Sequence, residues 1–326
     1  MILILFADDM VLFSETKSGL QQGLDKLHEY CCDWGLDVNV DKTKCLVFKN
    51  GGRSNVNDVW YYNGNIIETI SYFKYLGFVF SSTGKFKNGI DNLEIRGTKA
   101  FFDMISSIQN YNDMQFQMKL DLFDSLVKSV ICYGCEIWGF SEAKKLDTMY
   151  LRFLKQTLCV RKTVPTCFVY KECDVYPLYI TRLFRIINYW LKIISLDEHS
   201  PLKTVYNIAL ELNENDNNFK PASFWIENVK KKTLFKYGFG YVWLNQKYAN
   251  DFSFMNYFKK TVIDSFWQEN EGNINELSQN RLYRHLKAES IFYLRELPNN
   301  FIRIALNKLR FGSHFFMVER GRWKKT

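Results

Sequence analysis

The sequence predicts an α+β protein: strands confined to the first 80 residues with one packed helix among them, then a mostly helical remainder. Three observations carry that reading. Short apolar runs broken by turn signals fill residues 1–80. Apolar residues at helical spacing take over after Gly84 and persist. The 17 Gly and 5 Pro in 326 residues are too few for a turn-dense sandwich or a collagen-like chain. With 47% apolar and 24% charged residues, the composition is that of a globular protein long enough for two or three domains.

In chain order, the apolar runs 2–6 and 10–14 flank Ala7-Asp8-Asp9, which reads as a β-hairpin with its carboxylates at the tip. Leu20, Leu24, Leu27, Cys31 and Trp34 recur at helical spacing, and Gly35 stands where a left-handed C-cap belongs, so this helix buries one face. Residues 36–40 and 45–48 alternate as strands about Asp41-Lys42-Thr43-Lys44. A second hairpin pairs Trp60-Tyr61-Tyr62 with Asn65-Ile66-Ile67 about Asn63-Gly64, the dipeptide best able to take positive φ twice. Residues 72–80 give a last strand.

Beyond Gly84, Asp91-x-x-Glu94 has the form of a capping box ahead of the stripe Phe101, Met104, Ile105, Ile108. Leu120, Phe123, Val127 and Val130 mark a second helix with Lys119 and Lys128 facing outward. Leu146, Met149, Phe153 and Leu154 mark a third. Leu183, Ile187, Trp190, Leu191 and Ile194 mark a fourth, which ends before His199-Ser200-Pro201. The polar run 213–218 is the best linker candidate, and helical segments resume near 222–236, 255–268 and 281–310.

The charge is uneven. Residues 1–80 hold 7 basic and 10 acidic side chains, whereas residues 281–326 hold 11 basic and 3 acidic, an excess equal to the net +8 of the whole chain. A basic end in a chain with 28 Phe, 19 Tyr and 8 Trp suits a nucleic-acid surface, where phosphates take cations and unpaired bases take flat rings. Met1–Ala7 is too short for a signal peptide and lacks a basic start. No uncharged apolar stretch approaches the ~18 residues of a membrane span, so no membrane partner is expected. The eight cysteines include Cys31-Cys32 and Cys132-x-x-Cys135, and four histidines supply no second pair at zinc spacing. Reduced thiols of an intracellular protein, in cytoplasm or nucleus, are the expectation.

Two adjacent carboxylates held by flanking strands suit a hard divalent cation such as Mg²⁺, bound through oxygen. Phe6-Ala7-Asp8-Asp9 with its apolar flanks resembles the aromatic-x-Asp-Asp motif of reverse transcriptases. Gly35-Leu36-Asp37-Val38-Asn39-Val40-Asp41-Lys42-Thr43-Lys44 is similar to the stretch after the catalytic hairpin that carries a lysine near the nucleotide phosphates. Tyr72-Phe73-Lys74-Tyr75-Leu76-Gly77 resembles the primer-grip hairpin of the non-LTR (LINE-type) retrotransposon enzymes. Further along, Tyr133-Gly134-Cys135-Glu136-Ile137-Trp138 resembles the motif ending the thumb. Tyr170-Lys171-Glu172 and Leu309-Arg310-Phe311-Gly312-Ser313-His314 resemble features of the C-terminal region.

The resemblance implies a partial palm over 1–83, a helical thumb over 84–140, and a C-terminal helical region over 141–326 with a linker near 213–221. It implies an RNA template, a DNA primer and Mg²⁺ in the complete parent enzyme. Asp8 and Asp9 would be catalytic and hold the metal, and Lys42 (or Lys44) would steady or protonate the leaving phosphates. Tyr75, Leu76 and Gly77 would place the primer end, and Arg96, Lys99 and Lys119 would meet the duplex backbone. Glu136 and Trp138 read as structural. The family's usual glycines are missing around Lys171-Glu172-Cys173-Asp174, which leaves that turn open.

A reverse transcriptase also needs another Asp on a neighbouring strand; that strand and the fingers would precede Met1. The expectation is therefore a fragment, inactive as a polymerase alone, with the first hairpin stripped of neighbours and aggregation-prone. The alternative is a nucleic-acid-binding module that keeps only thumb and basic-tail contacts.

Overall fold

The computed structural model describes residues 2–49, 58–109, 111, 114–215, 221–246, 253–277, 283 and 300–311. The chain is α+β, as its sequence predicts, and separates into two compact units, Met1–Asn92 and Leu93–Thr326.

The first unit contains β1 (Ile2–Phe6), β2 (Asp9–Phe13), α1 (Lys17–Trp34), β3 (Lys44–Leu46), β4 (Trp60–Tyr62), β5 (Asn65–Ile70), β6 (Tyr72–Tyr75) and β7 (Phe78–Ser81). Its described strands form three small sheets: β1-β2, β3-β5-β4 and β6-β7. Only β3-β5 is parallel. The core is where α1 meets the three-stranded sheet: Leu24, Cys45, Trp60, Tyr62 and Ile67, flanked by half-buried Leu20, Leu27, Val38 and Val47.

Helix α1 starts because the Thr16 hydroxyl accepts the Gly19 amide at 3.0 Å, and stops at Gly35, whose φ of 63° admits the closing left-handed turn. Gln21 acts as a surrogate strand partner for the sheet edge. Its Nε2 donates to the Tyr61 carbonyl and its Oε1 accepts the Tyr61 amide, each at 2.9 Å. Leu24 and Cys31 are buried as expected. Trp34 is not: as the last residue of the helix it is 70% exposed and lies against the Tyr30 ring.

Two further strand expectations change. Residues 36–40 form no strand, because Asn39 turns the chain: its Oδ1 accepts the Lys42 amide at 3.0 Å and its carbonyl accepts the Thr43 amide and hydroxyl. Residues 72–80 are a hairpin rather than one strand, since Leu76 (φ 45°) and Gly77 (φ 83°) both take the left-handed turn. The Asn63-Gly64 hairpin forms as predicted.

β1 and β2 do not lie centrally in a larger sheet among the described residues. They pair only with each other, and Ile2, Leu3, Ile4, Leu5 and Phe6 are all exposed, Phe6 by 61%. Leu12 of β2 packs against the core, but an apolar ribbon whose edges pair with no other described strand is a template for edge-to-edge association.

The helical unit begins within α2 (Lys87–Ile108). The helix starts ahead of Asp91, so the capping-box pattern lies inside it rather than at its N-terminus. α3 (Phe116–Phe123) passes through a π-helical turn, Asp124–Lys128, into α4 (Ser129–Ile131). The wider turn sets a spacing of four, so Phe123, Val127 and Ile131 face inward and Val130, expected in the stripe, is only half-buried. α5 (Cys135–Trp138), α6 (Lys144–Thr157), α7 (Thr166–Cys173) and α8 (Leu178–Ile194) complete the central packing. Phe123 stacks on Phe153 with centroids 4.3 Å apart, and Leu146, Leu154, Ile187 and Trp190 are sealed from solvent.

Asp174 answers the open turn after α7. It takes φ 51° in place of glycine and donates its amide to the Lys171 and Tyr170 carbonyls, a conformation Asp tolerates better than most residues. α9 (Pro201–Asn215), α10 (Pro221–Glu227), a second π-helical stretch Asn228–Phe235, α11 (Gly240–Leu244), α12 (Phe254–Glu276) and α13 (Asn300–Arg310) follow. The linker expected at 213–221 begins inside α9, and its centre, 216–220, lies outside the described residues, as do 312–326 and most of 281–299.

Candidate active site

Strand pairing fixes where the two carboxylates stand. Phe6 is opposite Asp9, so the loop is Ala7-Asp8: Asp8 occupies the tip and Asp9 is the first residue of β2. Both are exposed. The turn puts Ala7 at φ 49°, a left-handed conformation that costs an L-residue with a Cβ roughly 1–2 kcal/mol. Ala7→Gly is therefore expected to stabilise the hairpin by about 1 kcal/mol, read as slower amide exchange across β1 and β2. Unchanged exchange there contradicts the strain.

The resemblance to reverse transcriptases implies a divalent metal. Adjacent oxygen donors at a turn are the right chemistry for a hard cation. Among the described residues, however, no group of three His, Cys, Asp or Glu side chains comes close enough to hold one. Asp8 and Asp9 are thus a partial donor set, and no reaction step is routed through a metal on them alone.

Lys42 is exposed on the turn made by Asn39, with its amide held at 3.0 Å, while Lys44 is engaged with Glu68 at 2.7 Å. Tyr75 is half-buried at the end of β6, with a buried hydroxyl that has no hydrogen-bond partner; Leu76 and Gly77 form the tip beyond it. The hairpins carrying Asp8 and Tyr75 belong to separate sheets, so no backbone ladder brings the two groups together. On α2, Lys99 is exposed and Arg96 half-buried, three residues apart and so on one face.

Lys119 corrects an expectation: it does not face freely outward but is half-buried beside Arg303. Burial, then the neighbouring guanidinium, hold its amine below the usual lysine range. Arg303 had no part in the sequence reading. A signal existed, since Arg303, Asn307 and Arg310 sit at i, i+4 and i+7 of α13, the spacing of a core stripe, and all three are buried.

The other motif residues tie the helical unit together. Trp138 is buried with Nε1 donating to the Tyr133 carbonyl at 2.8 Å, and Glu136 pairs with Arg185 at 2.7 Å while its carbonyl accepts Trp225 Nε1. Glu172, wholly buried, meets Arg310 at 2.8 Å, which joins two of the C-terminal motifs in one ion pair. Cys132 and Cys135 are buried free thiols. A hydrogen bond from Cys135, with help from Arg182 and Arg185, lowers the Cys132 thiol's pKa, while donating that bond and burial raise that of Cys135.

Residues 1–80 match the family model for reverse transcriptase (RNA-dependent DNA polymerase). The chain is 24% identical over 150 residues to the RNA-directed DNA polymerase from mobile element jockey of Drosophila melanogaster, covering 44% of this chain and 16% of that protein. It is 26% identical over 138 residues to a transposon-derived protein of Caenorhabditis elegans, covering 42% of this chain and 49% of that protein. Over 87 residues it is 34% identical to the Pol polyprotein of a type-2 retrotransposable element of Drosophila melanogaster, covering 24% of this chain and 8% of that protein. The chain thus spans half or less of each of these relatives. No solved structure matches it. By these matches residues 1–80 are similar to reverse transcriptases, and up to 44% of the chain is similar to proteins of mobile and retrotransposable elements.

Proposed function

We propose that this chain is part of an RNA-directed DNA polymerase of a non-LTR retrotransposon that by itself binds nucleic acid without extending a primer. One observation carries it: the family match over 1–80 falls on the hairpins that present Asp8-Asp9 and Tyr75-Leu76-Gly77. On this reading Asp8 and Asp9 supply part of an Mg²⁺ site, Lys42 steadies the leaving phosphates, and Tyr75, Leu76 and Gly77 place the primer end. Arg96, Lys99 and Lys119 follow the backbone of an RNA template paired with a DNA primer. The incomplete carboxylate set motivates the inactivity of the chain alone. On this reading the chain acts in cytoplasm or nucleus.

The binding half of the proposal has a defined salt dependence. Three phosphate contacts imply a log–log slope near −2.7, so affinity for an RNA–DNA duplex falls about 40-fold between 50 and 200 mM salt. Asp8→Asn leaves that binding intact or slightly tighter, because it removes a negative charge near the phosphates. Fluorescence anisotropy across a salt series decides: absent or salt-indifferent binding contradicts the proposal.

A further inference from the structure

The second π-helical stretch, Asn228–Phe235, turns a basic face outward. Lys231, Lys232, Phe235 and the following Lys236 are exposed, whereas Val229, Thr233 and Leu234 are buried. Residues four apart are neighbours on a helix surface, so Lys232 and Lys236 run beside Lys231 and Phe235. Three ammonium groups stand over rings: Lys230 over Trp243 at 5.8 Å, Lys232 over Phe224 at 5.7 Å and Lys236 over Tyr237 at 5.1 Å. Among the described ion pairs, only Lys231 of these four lysines meets a carboxylate, Glu227 at 2.7 Å. Lys231 holds that carboxyl below its ordinary range, and Lys232 and Lys230 add to the positive field around it.

Phe235 joins the basic face to a group of exposed rings. It is 46% exposed, Tyr241 50% and Tyr257 62%. The Phe235 ring lies against Gly240, where a Cβ would stand 3.1 Å from it. Tyr241 and Tyr257 both touch the buried Phe239 ring, with centroids 6.3 and 5.6 Å apart. Each exposed ring is thus anchored on its inner side and open to solvent on the other.

A lysine face alone is ordinary solvated surface, and so is a single exposed ring. Cations and anchored rings on one continuous surface match a strand whose phosphates and bases are both accessible. A duplex hides the faces of its bases, so the match is to unpaired nucleotides. A membrane surface matches less well, because the apolar residues of this stretch, Val229 and Leu234, are spent on the protein interior. We propose that this surface binds single-stranded nucleic acid, with phosphates at Lys232 and Lys236 and bases stacked on Phe235 and Tyr257. It lies outside the residues 1–80 that match the family model, and it uses none of Arg96, Lys99 and Lys119.

The test is fluorescence anisotropy of the full chain with a labelled oligouridine of about 12 nucleotides across a salt series. Lys232→Gln/Lys236→Gln is expected to weaken binding severalfold and to make the log–log salt slope shallower by about 1.4, at roughly 0.7 for each phosphate contact on a single strand. Tyr257→Ala is expected to weaken binding about fivefold or more with the slope unchanged, because it removes a stacking platform and no charge. Tyr257→Phe, which keeps the ring, is expected to bind as the wild type does. Both lysines are exposed, so the lysine variant decides if Tyr257→Ala fails to fold.

An oligouridine affinity and slope unchanged in the lysine variant overturn the inference. So does a lysine variant that loses binding to phosphatidylserine vesicles while its oligouridine binding stays that of the wild type. An RNA–DNA duplex separates this surface from the reading above. Absent duplex binding with the oligouridine response intact sinks that reading and leaves this surface standing; salt-dependent duplex binding with an unresponsive oligouridine does the reverse.

Discussion

Arg310→Leu is expected to destabilise the helical unit by about 3–5 kcal/mol, the largest effect of any single polar substitution in it. Glu172 is wholly buried on α7, and Arg310 on α13 is 6% exposed. Their contacts at 2.8 and 3.2 Å hold the carboxylate, and the Tyr283 ring lies under the guanidinium at 5.5 Å. Removing the arginine leaves a wholly buried carboxylate without this counter-charge. Burial and that same carboxylate already hold the Tyr283 hydroxyl well above the ordinary tyrosine range. The double variant Glu172→Leu/Arg310→Leu is expected to recover most of the loss, since two apolar groups bury at no charge penalty. Urea unfolding of the three variants measures this. A single substitution as mild as the double one contradicts a paired charge.

Phe123→Ala comes second, at about 3–5 kcal/mol. The ring is fully buried, stacked on Phe153 at 4.3 Å and close to Tyr150 at 5.3 Å, with Phe101 edge-on at 6.4 Å. It is also the residue from which the π-helical turn departs, so the cavity opens where the wider turn sets the inward register of Val127 and Ile131. Phe123→Leu, which fills most of the space, is expected to cost less than half as much. Equal losses for Ala and Leu would point to the lost aromatic stacking rather than the cavity.

What the sequence made legible was whatever rests on local chemistry. Gly35 closes α1, Asn63-Gly64 turns its hairpin, the stripe of α6 is buried, and so are Leu183, Ile187 and Trp190 of α8. The hairpin that carries Asp8 follows from two apolar runs around a polar turn. The readings that changed rest on choices no local pattern announces. Asn39 spends its side chain and carbonyl on a turn, which removes the strand expected at 36–40. Leu76 accepts a left-handed conformation that its β-compatible neighbours hide, so one strand becomes two. The turn at 124–128 shifts a helical phase that propensity treats as constant. The Lys119–Arg303 pair joins residues far apart in the chain, and only the packing of α13 against α3 reveals it.

For the site itself, residue type and motif order pointed to Asp8 and Asp9, and strand register then separated their positions, one at the tip and one on β2. The exposed apolar residues of β1 and the partial carboxylate set among the described residues are facts of packing.

The most direct test is primer extension by the purified chain with a DNA primer annealed to an RNA template, the four deoxynucleotides and Mg²⁺. The expected result is bound primer–template with no nucleotide added. Incorporation that disappears in Asp8→Asn would contradict the account, because it would mean that the chain completes the metal site with donors of its own.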